Sequence, residues 1–598
     1  MHNMGNSKVG ALVALLSAAG LLAGGCSSTS PANGTGGSSG KGGSGVSGST
    51  GGGGSTAPGA GGTTGTAGSG AGGQVTGAGG NGTGGSGTGG AGAGTGGGSA
   101  GMTGGAGAGA GGTNAGNPTV HLDQPDQMIQ GFGINDMFGK TGLPASLFDP
   151  NADIGLSILR VGMDTNGAGN LESAGMAGDI TTVTRAGGKV IGSVWSPPAN
   201  CKTNNNANNG GQLCSANTIA IPAHGTTANG QTLFSADPGM CPASSNTSCY
   251  TSWAQTITRF ATTNRLYAMS LANEPEFASG PASEPTVGGY PTTVYTAKEM
   301  VEFVKVAGPM LQAAGIKVIA PEASEWNHLW DNHSVCGSVP SGLKSDDPLN
   351  CGCFISSSAT PSATCQAAAA APCSAACTSG GNGYDYGHAL HADAAAWRAI
   401  DIIGVHEYDM QRAFPWPKSE FPKDKEVWQT EMAGVMWWPE QGPSNNIADG
   451  VVVAQWIHSA LVVGEASAWL WWWYPGQGDN EGLLANGGAD TKRHWTLGNY
   501  SKFVRPGYMR VEVSGSAPSN VLLSAYSGPN TVVVVAINSG TSTVSVPISI
   551  AGGTAPASCT PWLTSATANL TSQTAIPVSG GSFTASLMGP SVTTYVCK

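Results

Sequence analysis

Beyond about residue 118 the chain alternates short, near-continuously apolar runs with longer amphipathic stretches. Eight runs stand out: MIQGFGIN (128–135), LSILRVGMD (156–164), KVIGSVWS (189–196), LYAMSLAN (266–273), KVIAPE (317–322), IDIIGVHEY (400–408), EVWQTEMA (426–433) and SAWLWWWY (467–474). Apolar residues at successive positions predict strands buried on both faces. Between them, AKEMVEFVKVAGPMLQAAG (297–315) and VVVAQWIHSALVVG (451–464) read as helices. Eight such units predict an α/β fold, a (β/α)8 TIM barrel over 128–502. The spacers after strands three and five are long and Cys-rich, and predict elaborate loops on the barrel's functional face. After about residue 503 the pattern changes to short β runs set between Gly, Ser and Asn turns, such as MRVEVSG, NVLLSAYSG and TVVVVAINSG. These predict a C-terminal antiparallel β-sandwich side domain over 503–598, which the strand-like segment 118–127 is expected to join.

The N-terminal part has a different character. Residues 27–117 are almost wholly Gly, Ser, Ala and Thr. Such a composition cannot offset its own ordering entropy, so 26–117 reads as a disordered tether. Ahead of it, VGALVALLSAAGLLA follows His2 and Lys8 and is short for a membrane span, so 1–25 reads as an export signal. It ends in LLAGGC, similar to a bacterial lipoprotein cleavage box, with Cys26 as the lipidated residue; Ala23 stands where Leu is usual. Ser27 gives no Asp-type retention cue, so an outer-membrane or cell-surface lipoprotein is expected, or otherwise a secreted protein. Charged residues are only 10% of the chain and the net charge is -11. Without a basic patch, nucleic acid and anionic membrane surfaces are poor partners; membrane contact is expected only through the lipid anchor, and a monomer is expected.

Of the thirteen Cys, twelve remain once Cys26 is set aside, an even number in an exported chain. Disulfides are expected, with Cys201/Cys214 and Cys241/Cys249 closing short loops and Cys559/Cys597 stapling the C-terminal region. Six more, from Cys336 to Cys377, fall in one insertion. The CGC at 351–353 invites a zinc reading, but export favours disulfides; no metal and no cofactor are expected.

In such a barrel, side chains at the C-terminal strand ends line the active-site mouth. Those ends supply Arg160, Asp164, Trp195, Asn273, Glu274, Glu322, His406, Tyr408, Glu431 and the aromatic run Trp471 to Tyr474. Glu274 and Glu431 sit on strands four and seven, nearly opposite across an eight-strand ring. Retaining glycoside hydrolysis needs that opposition, with the two carboxyls about 5–5.5 Å apart. Glu276 and Glu322 compete for these roles; Glu276 lies beyond Pro275, and Glu322 is expected to pair with a cation. Arg160 could orient the nucleophile or form a structural ion pair. His406 and Tyr408 share a strand face and could bond the nucleophile or the sugar. Aromatic faces stack on sugar rings, so Trp471, Trp472 and Trp473 are candidate subsite residues beside Trp195. HALHAD (388–393) has helical metal-ligand spacing but no third ligand motif. No P-loop, dinucleotide fingerprint or nucleophile elbow is present.

Together, WSPPANCKTN (195–204), SLANEPEF (270–277), VIAPE (318–322), GVHEYD (404–409), VWQTEMAG (427–434), WLWWWY (469–474) and GNYSKFVRPGYMRV (498–511) resemble glycoside hydrolase family 30. The resemblance spans roughly 118–598. It implies Glu274 as acid/base, Glu431 as nucleophile and Asn273 on the sugar 2-hydroxyl. The ending looks most like the bacterial endo-xylanase branch, which implies a polysaccharide substrate, β-1,4-xylan. One departure concerns charge. Glucuronoxylan-specific members place an Arg soon after the strand-eight motif, whereas here YPGQGDNEGLL carries none before Arg493. The alternatives are a β-1,6-glucanase or other β-glycosidase of the family, and a non-catalytic carbohydrate-binding surface lipoprotein.

Overall fold

The computed structural model describes residues 116–598 apart from 209, 216–230, 234–240, 242–247, 282–290, 331–385, 409–412, 435–444, 476–480 and 486–487. The export signal, Cys26, nearly all of the tether and the six cysteines from Cys336 to Cys377 lie outside the described residues.

Eight parallel strands close a barrel: Gly131–Asp136, Ile158–Gly162, Lys189–Ser193, Ala268–Ser270, Lys317–Ala323, Ile402–His406, Glu426–Glu431 and Ala466–Trp473. They are barrel strands one to eight below. Each overlaps one of the eight apolar runs. The interior is filled, not hollow: Ile158, Ile191, Ala268, Ile319, Ile402, Trp428, Ala468 and Leu470 form one buried cluster. Trp428 is by far its largest member, and small neighbours make the room. A Cβ on Gly133 would lie 2.9 Å from Leu470 Cγ.

Helices cover the outside. The helix Ala297–Ala313 shows how the chain encodes them. Thr296 and Glu299 form a capping box, the Glu299 N–H donating to Thr296 Oγ1 and the Thr296 N–H to Glu299 Oε2. Met300, Phe303, Val304, Ala307 and Leu311 recur at helical spacing and are all buried. Truncating Phe303 to Ala would cost about 3–5 kcal/mol.

The C-terminal domain is one continuous ten-stranded sheet rather than two separate ones. Its core includes Val120, Val511, Val534, Ile548, Phe583 and Tyr595, all buried. Thr119–Met128 lies between Met509–Ser514 and Val544–Ala551. It runs antiparallel to the first but parallel to the second, so the sheet is antiparallel-rich, not wholly antiparallel.

Cys559 and Cys597 stand opposite each other on neighbouring strands and are bridged. The other two described bridges correct the expectation: Cys201 joins Cys249 and Cys214 joins Cys241, with Cα separations of 5.8 and 5.6 Å. Lys202 and Leu213 form an antiparallel bridge, and the Cys214 N–H donates to Cys201 O. Backbone pairing already closes that short loop, so each sulfur reaches outward. Cys201 thereby ties the loop to the helix Ser248–Thr263.

Candidate active site

Strict strand alternation would not build this site. On strand seven Trp428 and Thr430 face the interior, which would turn Glu431 outward. The register against strand six runs Gln429↔Val405 and then Glu431↔His406, so one extra residue is inserted and Glu431 swings to the mouth. Strand five does the same, with Glu322 as the extra residue between Pro321↔Gly404 and Ala323↔Val405. Strand eight repeats it at Trp472, between Trp471↔Ile134 and Trp473↔Asn135. Gly404 is required here, since a Cβ would come 2.9 Å from Glu322 Oε1. Glu322 and Glu274 both have left-handed backbone, at φ 66° and 45°. Such conformations are costly for residues with a Cβ and persist only where the surroundings hold them. One tie is direct: the Glu274 N–H donates to the Glu322 carbonyl at 3.0 Å.

Arg160, fully buried on strand two, is the hub. Its Nη1 donates to Glu431 Oε2 at 2.7 Å and to Asn135 Oδ1 at 3.2 Å. Its Nη2 donates to Asn273 Oδ1 at 2.6 Å, Ser193 Oγ at 2.9 Å and Glu322 Oε2 at 3.1 Å. His406 lies between three carboxylates: Nδ1 is 3.1 Å from Glu274 Oε1 and 3.6 Å from Glu431 Oε1, and Nε2 is 3.1 Å from Glu322 Oε2. The Tyr408 hydroxyl donates to Glu431 Oε1 at 3.0 Å. One ligand atom each of Glu274, His406 and Glu431 lie within 4.8 Å of one another.

Burial pushes the Glu274 carboxyl above its ordinary range, and the nearby Glu431 and Glu276 add to this; the His406 hydrogen bond only partly opposes it. Glu322 goes the other way. Burial would raise it, but Arg160, His406 and Thr430 outweigh that and hold it below the usual carboxylate range. Burial would lower His406, yet Glu431, Glu274 and Glu322 push it up to about 10. His406 is therefore an imidazolium with both ring N–H groups donating. One ligand atom each of Glu274, His406 and Glu431 are close enough to surround a cation. Arg160 and His406 already supply the positive charge that Glu322 and Glu431 require.

The rim is aromatic. Trp195 and Trp472 have centroids 6.0 Å apart, and Trp472 stacks on Trp473 at 4.9 Å. Phe138, 39% exposed, sets its edge against all three. Lys140 Nζ lies 4.3 Å over the Trp473 ring. Trp471 corrects the sequence reading, because it does not join this rim. Ala468 and Leu470 face the barrel interior, so Trp469 and Trp471 face the helices. Trp471 is fully buried, with Nε1 donating to Glu481 O and the Arg493 guanidinium 5.5 Å from its ring. Lys492 and Arg493, the nearest cations after strand eight, are engaged elsewhere. Arg493 donates to buried Asp449 at 2.6 Å, and Lys492 bonds Asn569 in a turn of the C-terminal domain at 2.6 Å. His388 pairs with Glu420 and His391 stacks on Phe421, so the HALHAD histidines are engaged there.

The strand-end reading thus named Arg160, Asn273, Glu274, His406, Tyr408, Glu431, Trp195, Trp472 and Trp473, and the fold brings them together. Glu322, expected to pair with a cation, touches both cations of the site. Asn135, Ser193 and Thr430 also join the site, although nothing in the strand runs that hold them marks them out. Phe138 and Lys140 come from a loop with no motif to mark it.

A β/α barrel whose mouth sets two carboxyls across from each other beneath a tryptophan rim is a glycoside hydrolase. No protein-family model matches the chain. It is 26% identical over 495 residues to the glucuronoxylanase XynC of Bacillus subtilis (strain 168), covering 80% of this chain and 91% of that protein. It superimposes on Xyn30A of Clostridium acetobutylicum, a glycoside hydrolase family 30 subfamily 8 xylanase, with a TM-score of 0.57 and 26% identity, over 81% of this chain and 99% of that one. A family 30 endoxylanase from Clostridium papyrosolvens C71 shares the fold, with a TM-score of 0.55 and 23% identity over 81% of this chain and all of that one. These similarities support glycoside hydrolase family 30.

Proposed function

We propose that the protein is a retaining endo-β-1,4-xylanase acting on plant cell-wall polysaccharide. Glu274 protonates the departing glycosidic oxygen while Glu431 attacks the anomeric carbon from the opposite face. Glu274, now ionised, takes a proton from water, which releases the sugar from Glu431. The observation that carries this is the approach of the two carboxyls to within 4.8 Å. So close an approach of one oxygen from each supports the retaining arrangement, with carboxyls roughly 5–5.5 Å apart, over the inverting one, which needs about 6.5–9.5 Å to admit a water. Burial supports Glu274 as the proton donor, and the grip of Arg160 and Tyr408 on Glu431 supports it as the nucleophile. Arg160 also takes the Asn273 carbonyl oxygen, which turns the amide nitrogen to a sugar hydroxyl. The Trp195–Trp472–Trp473 rim would hold sugar rings. The xylan assignment rests on the names of the similar xylanases. Localisation rests on the N-terminal sequence: a lipoprotein anchored through Cys26, with the tether holding the enzyme off the membrane. Incubation with a panel of β-glycans, with chromatography of the products, tests the reading. Oligosaccharides released from xylan in preference to β-1,6-glucan are expected; binding without cleavage would contradict it.

A further inference from the structure

Glu276 lies two residues past the acid/base Glu274 and does not face the substrate side of the site. It is nevertheless fully buried, and its Oε1 is heavily used. The Ser324 N–H and the Ser324 hydroxyl both donate to it at 2.6 Å, and His328 Nδ1 lies 2.8 Å away. Ser324 stands just beyond strand five, and its carbonyl accepts the Tyr408 N–H at 3.2 Å. His328 is on the short helix Trp326–Leu329. A single carboxylate oxygen therefore joins the exits of strands four and five, and Ser324 carries the connection to strand six.

The segment it anchors needs an anchor. Strand four ends at Ser270, so Glu274 is four residues beyond the last ladder pairing, at φ 45°. Its backbone is pinned by Glu322 O on one side, and the Pro275 carbonyl accepts the Tyr295 N–H at 2.9 Å on the other. Glu276 adds the side-chain tie. Fully burying a carboxylate for packing alone is expensive, and an apolar residue would fill the space at less cost. The geometry points to a role in the reaction: we propose that Glu276, held by Ser324 and His328, is a positioning residue that fixes the Glu274 carboxyl for proton donation. This rests on the reading of Glu274 as the acid. His406 and Glu431 face Glu274 directly, Glu276 lies behind it, and Arg160 and Glu322 reach it through His406 and Glu431. The negative charge of Glu276 also favours the protonated form of Glu274.

The test uses the full chain and two substrates, xylan and an aryl xylobioside whose phenol is acidic enough to leave unprotonated. A positioned general acid contributes about 10²–10⁴-fold, and only to the poor leaving group. Glu276→Gln should then lose about tenfold or more in kcat/KM on xylan, with a much smaller loss on the aryl glycoside. The alkaline limb of its pH profile should move to lower pH. Equal losses on both substrates, or no loss on either, would overturn the proposal, since loosened packing does not sense the leaving group. Should Glu276→Gln fail to fold, Ser324→Ala, which keeps the backbone donor, carries the same comparison with the same outcomes. Glu274→Ala is the control. If it too loses equally on both substrates, the acid assignment itself is wrong and the proposal goes with it. If it is selective while Glu276→Gln is not, only the positioning role is lost.

Discussion

Arg160→Lys keeps the positive charge of the hub and removes its fork. Arg160 makes five hydrogen bonds from two nitrogens that diverge toward strands one and seven on one side and strands three, four and five on the other. A single ammonium has three protons on one nitrogen and cannot reach Glu431, Asn273 and Glu322 together. About two charged contacts are lost, each worth roughly 1.5–3 kcal/mol, for a total of about 3–6 kcal/mol. Part of this falls on stability, because Glu322 is fully buried and depends on its cations. If half falls on the transition state, through Glu431 and Asn273, kcat/KM drops about ten- to a hundred-fold or somewhat more. The assay is kcat/KM on xylan beside the melting temperature of the same preparation. A kcat/KM within threefold of wild type, with Tm lowered, would make Arg160 a structural ion pair only.

Asp136 is fully buried, has no hydrogen-bond donor among the described residues, and lies beside Asp179; burial first, then Asp179 and Glu172, push it up to about 9. A carboxyl that holds its proton more tightly when folded contributes stability that is complete at low pH and lost as pH rises toward that value. Asp136→Asn should therefore gain stability over wild type as pH rises from 5 to 8, by up to about 1.4 kcal/mol per pH unit; a Tm gap that does not change with pH contradicts this. With Lys492 and Arg493 engaged elsewhere, glucuronoxylan and unsubstituted xylo-oligosaccharides should be cut at kcat/KM values within about tenfold; a hundredfold preference for glucuronoxylan would show that another cation reads the substituent. Cys26→Ala should move activity from the membrane fraction to the soluble one, and wild-type activity found wholly in the medium would remove the anchor.

The eight barrel strands were legible because both of their faces are buried, which leaves long apolar runs. What alternation could not supply is the direction of the rim residues. The extra residues at Glu322, Thr430–Glu431 and Trp472 are fixed by contacts between strands, not by a local pattern. That is why Glu431 was assigned from its place on strand seven rather than from its face. The same break in period explains Trp471: a run of four aromatic residues hides which of them turns away. Glu322 was read as a partner for one cation, because no spacing rule says that Arg160 and His406 converge on it. The crossed bridges Cys201–Cys249 and Cys214–Cys241 follow from a backbone pairing that loop length cannot reveal.

The pairing of Glu274 with Glu431 across the barrel is tested most directly by trapping the covalent intermediate. A xylobioside carrying 2-fluorine and an activated leaving group slows both steps but slows the second more, so the glycosyl-enzyme accumulates. Intact-protein and peptide mass spectrometry would then locate the label. One sugar per chain, on the peptide containing Glu431, is the expected result. Hydrolysis of xylan without any labelling, or a label on Glu274, Glu276 or Glu322, would contradict it.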